Sequence, residues 1–160
     1  LYGDPLWIFV FCIFIASSNS DTWASEIGTL SKKSPINIRT FSLVQKGTSG
    51  AISLLGTMAG AAGALFIAIL SFYLLRLSIA LAFLVFIFGF LGNIVDTVLG
   101  AFFQATYKCR TCQTETEKTL HCGRETELFR GIAILDNDMV NLLSSFLAAV
   151  IGLITYLWLM

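Results

Sequence analysis

Four long apolar runs dictate what this chain can fold into. A transmembrane helix needs about 20 predominantly apolar residues. Pro5–Ser18 makes a first, short run. Ile52–Leu75 makes a second, rich in Gly and Ala at its start and bulky at its end. Leu77–Val95 is almost pure Leu, Ile, Phe, Val and Ala, and Val140–Met160 closes on Tyr156 and Trp158, side chains suited to a membrane interface. No alternating strand pattern stands out between the runs. The expectation is an all-α, polytopic transmembrane helix bundle of about four spans, one integral membrane domain over 1–160. The balance of 56% hydrophobic to 12% charged residues agrees, since soluble domains carry about 25% charged residues. Leu1 opens the chain inside a hydrophobic stretch with no basic flank, which predicts further N-terminal spans rather than a signal peptide.

Only Arg76 and its neighbours separate the second and third runs, so these form a tight helical hairpin. The polar segments 19–49 and 107–138 then lie on one side of the membrane. Together they carry Lys32, Lys33, Arg39, Lys46, Lys108, Arg110, Lys118, Arg124 and Arg130, every basic residue except Arg76. The positive-inside rule predicts that these loops are cytoplasmic.

Polar motifs stand at the ends of all four runs, and this topology brings them to one membrane face. After the first run comes Asn19-Ser20-Asp21-Thr22-Trp23-Ala24-Ser25-Glu26. Continued as a helix, it places Asn19, Thr22 and Glu26 on one face, with Asp21 and Ser25 in an adjacent row. Before the second run, Lys46-Gly47-Thr48-Ser49-Gly50 offers a flexible turn, backbone N–H groups and an amine to an anion. Asn93, Asp96 and Gly100 follow helical spacing at the end of the third run. Asp136, Asn137, Asp138 and Asn141 open the fourth.

Each motif has a plain structural reading. Asp136–Asp138 would serve as a helix cap worth about 1 kcal/mol, Gly47–Gly50 as an interfacial turn, and Gly56 with Gly60 as a GxxxG packing face. Asp21 and Glu26 would simply be solvated. Asp96 resists such a reading, because a carboxylate within an apolar helix costs at least ~2.5 kcal/mol without a partner. The convergence of motifs outweighs any one of them. Asp21, Glu26, Asp96, Asp136 and Asp138, with the amides of Asn19, Asn93, Asn137 and Asn141, form an oxygen-rich set suited to Mg²⁺, with Asp21, Glu26, Asp96 and Asp138 as its expected ligands. Lys46 and Gly47, Thr48, Ser49 and Gly50 suit the phosphates such an ion brings. Phosphate chemistry at a membrane surface is the resulting expectation.

Cys109, Cys112, His121 and Cys122 lie together in the second polar segment. They are a formal structural Zn²⁺ set, although His121 and Cys122 are adjacent where zinc pairs usually have residues between them. Reduced free thiols and redox chemistry are the alternatives. Cys12, within the first run, reads as packing.

Taken together, these stretches resemble the transmembrane protein 19 family, also called domain of unknown function 92. The resemblance rests on Ala16-Ser17-Ser18-Asn19-Ser20-Asp21-Thr22-Trp23-Ala24-Ser25-Glu26-Ile27-Gly28, on Lys46–Gly50, on Gly92-Asn93 through Asp96 to Leu99-Gly100-Ala101, and on Leu135-Asp136-Asn137-Asp138 through Asn141. The cysteine loop also looks like that of some members. The family includes a plant phytyl-phosphate kinase of vitamin E synthesis, and its members are longer at the N-terminus. The resemblance implies a prenyl-phosphate kinase in the bilayer. Such an enzyme transfers phosphate from a nucleoside triphosphate, CTP by preference, to an isoprenoid monophosphate of phytyl or geranylgeranyl type. Nucleic acid is not expected as a partner. No G-x-x-x-x-G-K-[ST] sequence is present, so the chemistry would not be that of a P-loop kinase. A transporter or channel is the first rival, disfavoured because the middles of runs two to four carry no charge. A non-catalytic membrane scaffold is the second.

Overall fold

The computed structural model describes residues 5–159. Four helices, α1 (Pro5–Gly28), α2 (Leu54–Tyr73), α3 (Ile79–Phe102) and α4 (Asn137–Leu159), are each long and apolar enough to cross a membrane. They form a helical bundle in which α1 packs against α2, α3 and α4. Its apolar interior is built from Phe9, Ile13 and Ala16 of α1, Val85 and Phe88 of α3, and Ala148 and Ala149 of α4. Large side chains such as Phe66, Phe83, Phe146 and Ile154 remain exposed on the outer faces, as lipid contact requires.

Small residues let the backbones approach closely. On α2, Gly56, Gly60 and Gly63 lie against α1. A Cβ at Gly56 would stand 2.9 Å from the Ala24 carbonyl oxygen, and one at Gly63 would stand 3.0 Å from that of Asn19. The GxxxG of the sequence is therefore a packing face. Ser20 Oγ donates to the Gly60 carbonyl (2.8 Å) and Asn19 Nδ2 to that of Gly63 (2.9 Å), so hydrogen bonds join the same seam. Replacing Gly60 by Leu should push α2 away from α1 and from Asn93 of α3, which lies nearest to an added Cβ. A lower melting temperature in detergent and a broadened gel-filtration profile are expected; unchanged behaviour would show that the seam tolerates side chains.

The helix ends depart from the apolar runs in ways that matter for the site. α1 does not stop at Ser18 but continues through the polar motif to Gly28. No breaker interrupts it, and Thr22 and Ser25 fold their hydroxyls back onto the Ser18 and Thr22 carbonyls. α3 continues past Val95 to Phe102. Asp136 caps α4, its Oδ1 accepting from Met139 N–H at 2.9 Å. The α2–α3 connection is as tight as the sequence implies, with Arg76 at φ 57° and Ser78 capping α3.

The helical bundle expected from the sequence holds, and the loops add short strands that no alternating pattern announced. β1 (Ile36–Asn37) pairs antiparallel with β2 (Ala51–Ile52). Between α3 and α4 lies a small β module. In it β3 (Thr106–Lys108) is flanked by β4 (Glu115–Thr116) and β7 (Glu127–Arg130), while β5 (Leu120–His121) and β6 (Arg124–Glu125) form a hairpin. Strands of two to four residues are too short to display alternation, so the pattern carries no signal for them.

Candidate functional site

The ends of all four helices border one cavity of about 540 Å³. α1 contributes Asp21, Thr22, Ser25 and Glu26; α2 contributes Gly56 and Thr57; α3 contributes Asn93, Asp96, Thr97 and Gly100; α4 contributes Asn137 and Asn141. The segment 46–53 forms another wall, and Glu117 reaches in from the β module. Four carboxyls (Asp21, Glu26, Asp96, Glu117) face one amine, Lys46.

The centre of the site is a carboxyl pair. Asp21 and Asp96 approach each other across the α1–α3 interface, close enough to influence one another's charge. Two such groups repel when both are ionised unless a cation or a proton stands between them. α4 secures the Asp96 side. Ser144 Oγ donates to Asp96 Oδ2 at 2.9 Å. With its amide nitrogen assigned to face Asp96, Asn141 donates to the same oxygen at 2.8 Å and to the Asn137 carbonyl at 3.2 Å. Asp96 thus has the partners that a carboxylate in an apolar helix requires. A second polar contact, Ser145 Oγ to Ser17 Oγ at 3.1 Å, ties α4 to α1 deeper in the bundle.

The glycine turn is held as a wall rather than as a direct lead into α2. Asn37 is buried, and its Nδ2 donates to the Ser49 carbonyl at 3.2 Å while Ile38 N–H donates to that of Gly50 at 3.0 Å. β2 then intervenes before Ser53 caps α2 by accepting from Gly56 N–H. Gly50 has φ +70° and lies against the backbone of Ala101, with no room for a side chain. Thr48 N–H and Oγ1 both turn back to the Gln45 carbonyl. Lys46 is exposed at the rim.

Two of the residues expected in the site stand apart from it. Asn19 packs α1 onto α2 through Gly63, as described above. Asp138 is exposed on the first turn of α4 and does not line the cavity. The geometry of the helix explains this: Asn137 and Asn141 are four residues apart and share the cavity face, whereas Asp138 is turned about 100° away.

Other cavity residues carry no legible motif. Gln104 is only 3% exposed, lines the cavity, and its Nε2 has no hydrogen-bond partner among the described residues. Such an orphaned donor calls for an acceptor. Glu117 accepts from Ser49 Oγ at 2.5 Å and so links the β module to the glycine turn. Gln104 follows an apolar stretch and Glu117 a polar one, and no spacing marked them.

The cysteine set also comes together. One ligand-type atom from each of Cys109, Cys112, His121 and Cys122 lies within 4.8 Å of the others. Cys109 Sγ receives the backbone N–H groups of Cys112 and Thr111, which hold its thiol down at a pKa of about 7. Cys122, beside the Cys112 sulfur, is pushed up to about 11. Three thiols so close cannot all ionise without a cation among them.

Fold and cavity together define a polytopic helical membrane protein whose polar groups gather where the helices end. The chain belongs to the DUF92 family of integral membrane proteins, whose profile matches residues 1–149. It is 34% identical to a membrane protein of Methanocaldococcus jannaschii, over 89% of this chain and 48% of that protein. It is 35% identical to Protein PGR of Arabidopsis thaliana, over 84% of this chain and 51% of PGR. It is 27% identical to the chloroplastic Protein VTE6 of the same plant, over 84% of this chain and 34% of VTE6. The chain thus spans about half or less of the length of these curated relatives. No solved structure matches it.

Proposed function

We propose that the protein is a membrane-embedded prenyl-phosphate kinase. It transfers the terminal phosphoryl group of a nucleoside triphosphate, CTP in the first instance, to an isoprenoid monophosphate held with its tail among the spans. The observation that carries this reading is the cavity itself: a carboxyl pair, an amine and a glycine turn gathered at the ends of lipid-facing helices. A substrate with an anionic head and an apolar tail suits that junction. The basic loops support a site on the cytoplasmic side, by the positive-inside rule.

The residues fit Mg²⁺. Asp21 and Asp96 offer hard oxygen ligands from facing helices, and Asn141 and Ser144 already orient Asp96. When bound there, Mg²⁺ would neutralise charge on the phosphates during transfer. Glu26 stands farther out along the same wall, and the exposed Asp138 is left out of the set. Lys46 and the turn Gly47–Gly50 bind phosphate oxygens, and Gln104 Nε2 supplies a further donor. Asn93 and Asn137 line the wall between these groups.

No general base is needed for this reaction. A monophosphate oxygen already carries the lone pair that forms the new P–O bond. The bond between the β-bridging oxygen and the terminal phosphorus breaks, and a nucleoside diphosphate leaves. The work of the protein is positioning and charge neutralisation. The test is to incubate full-length protein in detergent with CTP, Mg²⁺ and phytyl or geranylgeranyl monophosphate, and to follow the diphosphate by mass spectrometry. Diphosphate formation is expected. Folded protein that yields none with any nucleoside triphosphate would overturn the assignment.

A further inference from the structure

The β module between α3 and α4 has almost no core of its own. Between residues 106 and 130, Cys109 alone is buried, while Leu120, Leu128 and Phe129 are exposed. Segments of this size fold stably when a disulfide or a metal staples them. A disulfide does not fit the observed arrangement. All four cysteines are free, and Cys112 and Cys122, which approach each other, keep their sulfurs 3.8 Å apart, well beyond an S–S bond of about 2.05 Å.

The same distances match a tetrahedral ion. Zn–S bonds of about 2.3 Å and Zn–N bonds of about 2.0–2.1 Å give tetrahedron edges of about 3.8 Å between sulfurs and about 3.6 Å between sulfur and nitrogen. Cys112 Sγ and Cys122 Sγ are 3.8 Å apart, and His121 Nδ1 lies 3.5 Å from Cys112 Sγ and 3.3 Å from Cys122 Sγ. The adjacency of His121 and Cys122 is resolved by the hairpin. Cys122 and Gly123 both have positive φ (52° and 71°), as a two-residue turn between β5 and β6 requires, and the turn brings the two side chains to one point. Cys109 and Cys112 supply the other two corners from the β3–β4 turn. Three thiolates with one imidazole favour zinc over Mg²⁺ or Ca²⁺, and iron–sulfur clusters are commonly held by four cysteines.

We propose that Cys109, Cys112, His121 through Nδ1 and Cys122 bind one structural zinc ion, which fixes the β module and thereby holds Glu117 at the mouth of the cavity. Glu117 lies on the connection between β4 and β5. One flank of that connection follows Cys112 and the other carries His121, so the ion clamps both ends of the segment. Glu117 in turn accepts from Ser49 in the glycine turn. Loss of the metal would free this contact while leaving the four helices packed. The inference stands apart from the kinase assignment, because its readouts need no turnover.

The test begins with full-length protein purified in detergent and analysed for metals by plasma mass spectrometry. About one zinc per chain is expected, retained in Cys12→Ser and lost in Cys112→Ser with Cys122→Ser. Cys112→His, which keeps a ligand, should retain zinc and guard against loss by misfolding. Cobalt substitution should give the visible absorption of a tetrahedral thiolate site. Chelation should make residues 107–130 sensitive to protease, with the helices still resistant. Wild-type protein that holds no zinc after reconstitution, holds iron instead, or contains a Cys112–Cys122 disulfide would overturn the site. Unchanged proteolysis after complete zinc removal would overturn its role as a staple.

Discussion

Asp21→Asn is expected to reduce phosphoryl transfer about a thousandfold, or ~4 kcal/mol in activation free energy, without disturbing membrane insertion. Asp21 and Asp96 are cavity carboxyls that approach each other from two helices. Asn keeps the shape of Asp21 and its capacity to accept a hydrogen bond from a neighbour, but it removes one of two charges that would hold a divalent ion. The substitution also removes a repulsion. In a chelating buffer the variant should therefore melt no lower than the wild-type protein. Mg²⁺ should separate them: an ion at a hundred times its Kd stabilises the protein that binds it by about 2.7 kcal/mol. Wild-type protein should gain that stability, and Asp21→Asn should not. A variant with full turnover, or one that Mg²⁺ stabilises equally, would remove Asp21 from the ion site. Asp96→Asn should behave in the same way, with some added loss of packing because Ser144 and Asn141 orient that group.

Gly50→Ala should be the most damaging single-methyl change in the cavity wall, and Gly47→Ala is its control. Both glycines have positive φ, +82° at Gly47 and +70° at Gly50. A side chain in that conformation costs about 1–2 kcal/mol. At Gly47 nothing lies within 4 Å of an added Cβ, so that cost stands alone. At Gly50 the Cβ would meet the backbone of Ala101 in α3, which cannot swing aside as a side chain can. Overpacking adds about 1–3 kcal/mol, so the total is about 2–5 kcal/mol. Thermal denaturation of the two variants in detergent separates the contributions. Gly50→Ala should melt well below Gly47→Ala and should also weaken nucleotide binding, since the wall moves with the turn. Equal melting temperatures would mean that Gly50 is not wedged against α3.

The setting of Gly50 bears on what the cavity wall is for. As a bare motif, Lys46–Gly50 reads as a phosphate cradle at a helix N-terminus. In the structure the turn is anchored by Asn37 on one side and by Ala101 on the other, with β2 placed before α2. Lys46 still stands at the rim and the turn still lines the cavity. The helix end itself is occupied by its own serine cap.

Hydrophobic run length and the tight connection at Arg76 were enough to specify four spans and to bring the two polar segments to one side of the membrane. The constraint is strong because lipid offers no partner to a backbone polar group, so long apolar runs have to be helical. Polar residues at helix ends were equally plain, and Asp21, Glu26, Asp96, Lys46, Asn93, Asn137 and Asn141 do border one cavity. Helical spacing also shows why Asp138 turns away from Asn137 and Asn141, once the start of α4 is known. The start itself depended on Asp136 acting as the cap.

Only the tertiary structure decided which of these groups touch. The approach of Asp21 to Asp96, the support of Asp96 by Ser144 and the reach of Glu117 to Ser49 all join residues far apart in the chain, and the orphaned Gln104 amide faces the same cavity. Periodicity within a helix fixes the face a residue presents, but not the rotation and depth at which two helices meet. Those are set by small-residue seams such as Gly56–Gly60–Gly63, through close packing that no single segment encodes. The same holds for the β module. Its strands are too short to be read from alternation, and its cysteine cluster forms because a two-residue turn folds His121 and Cys122 back toward Cys112.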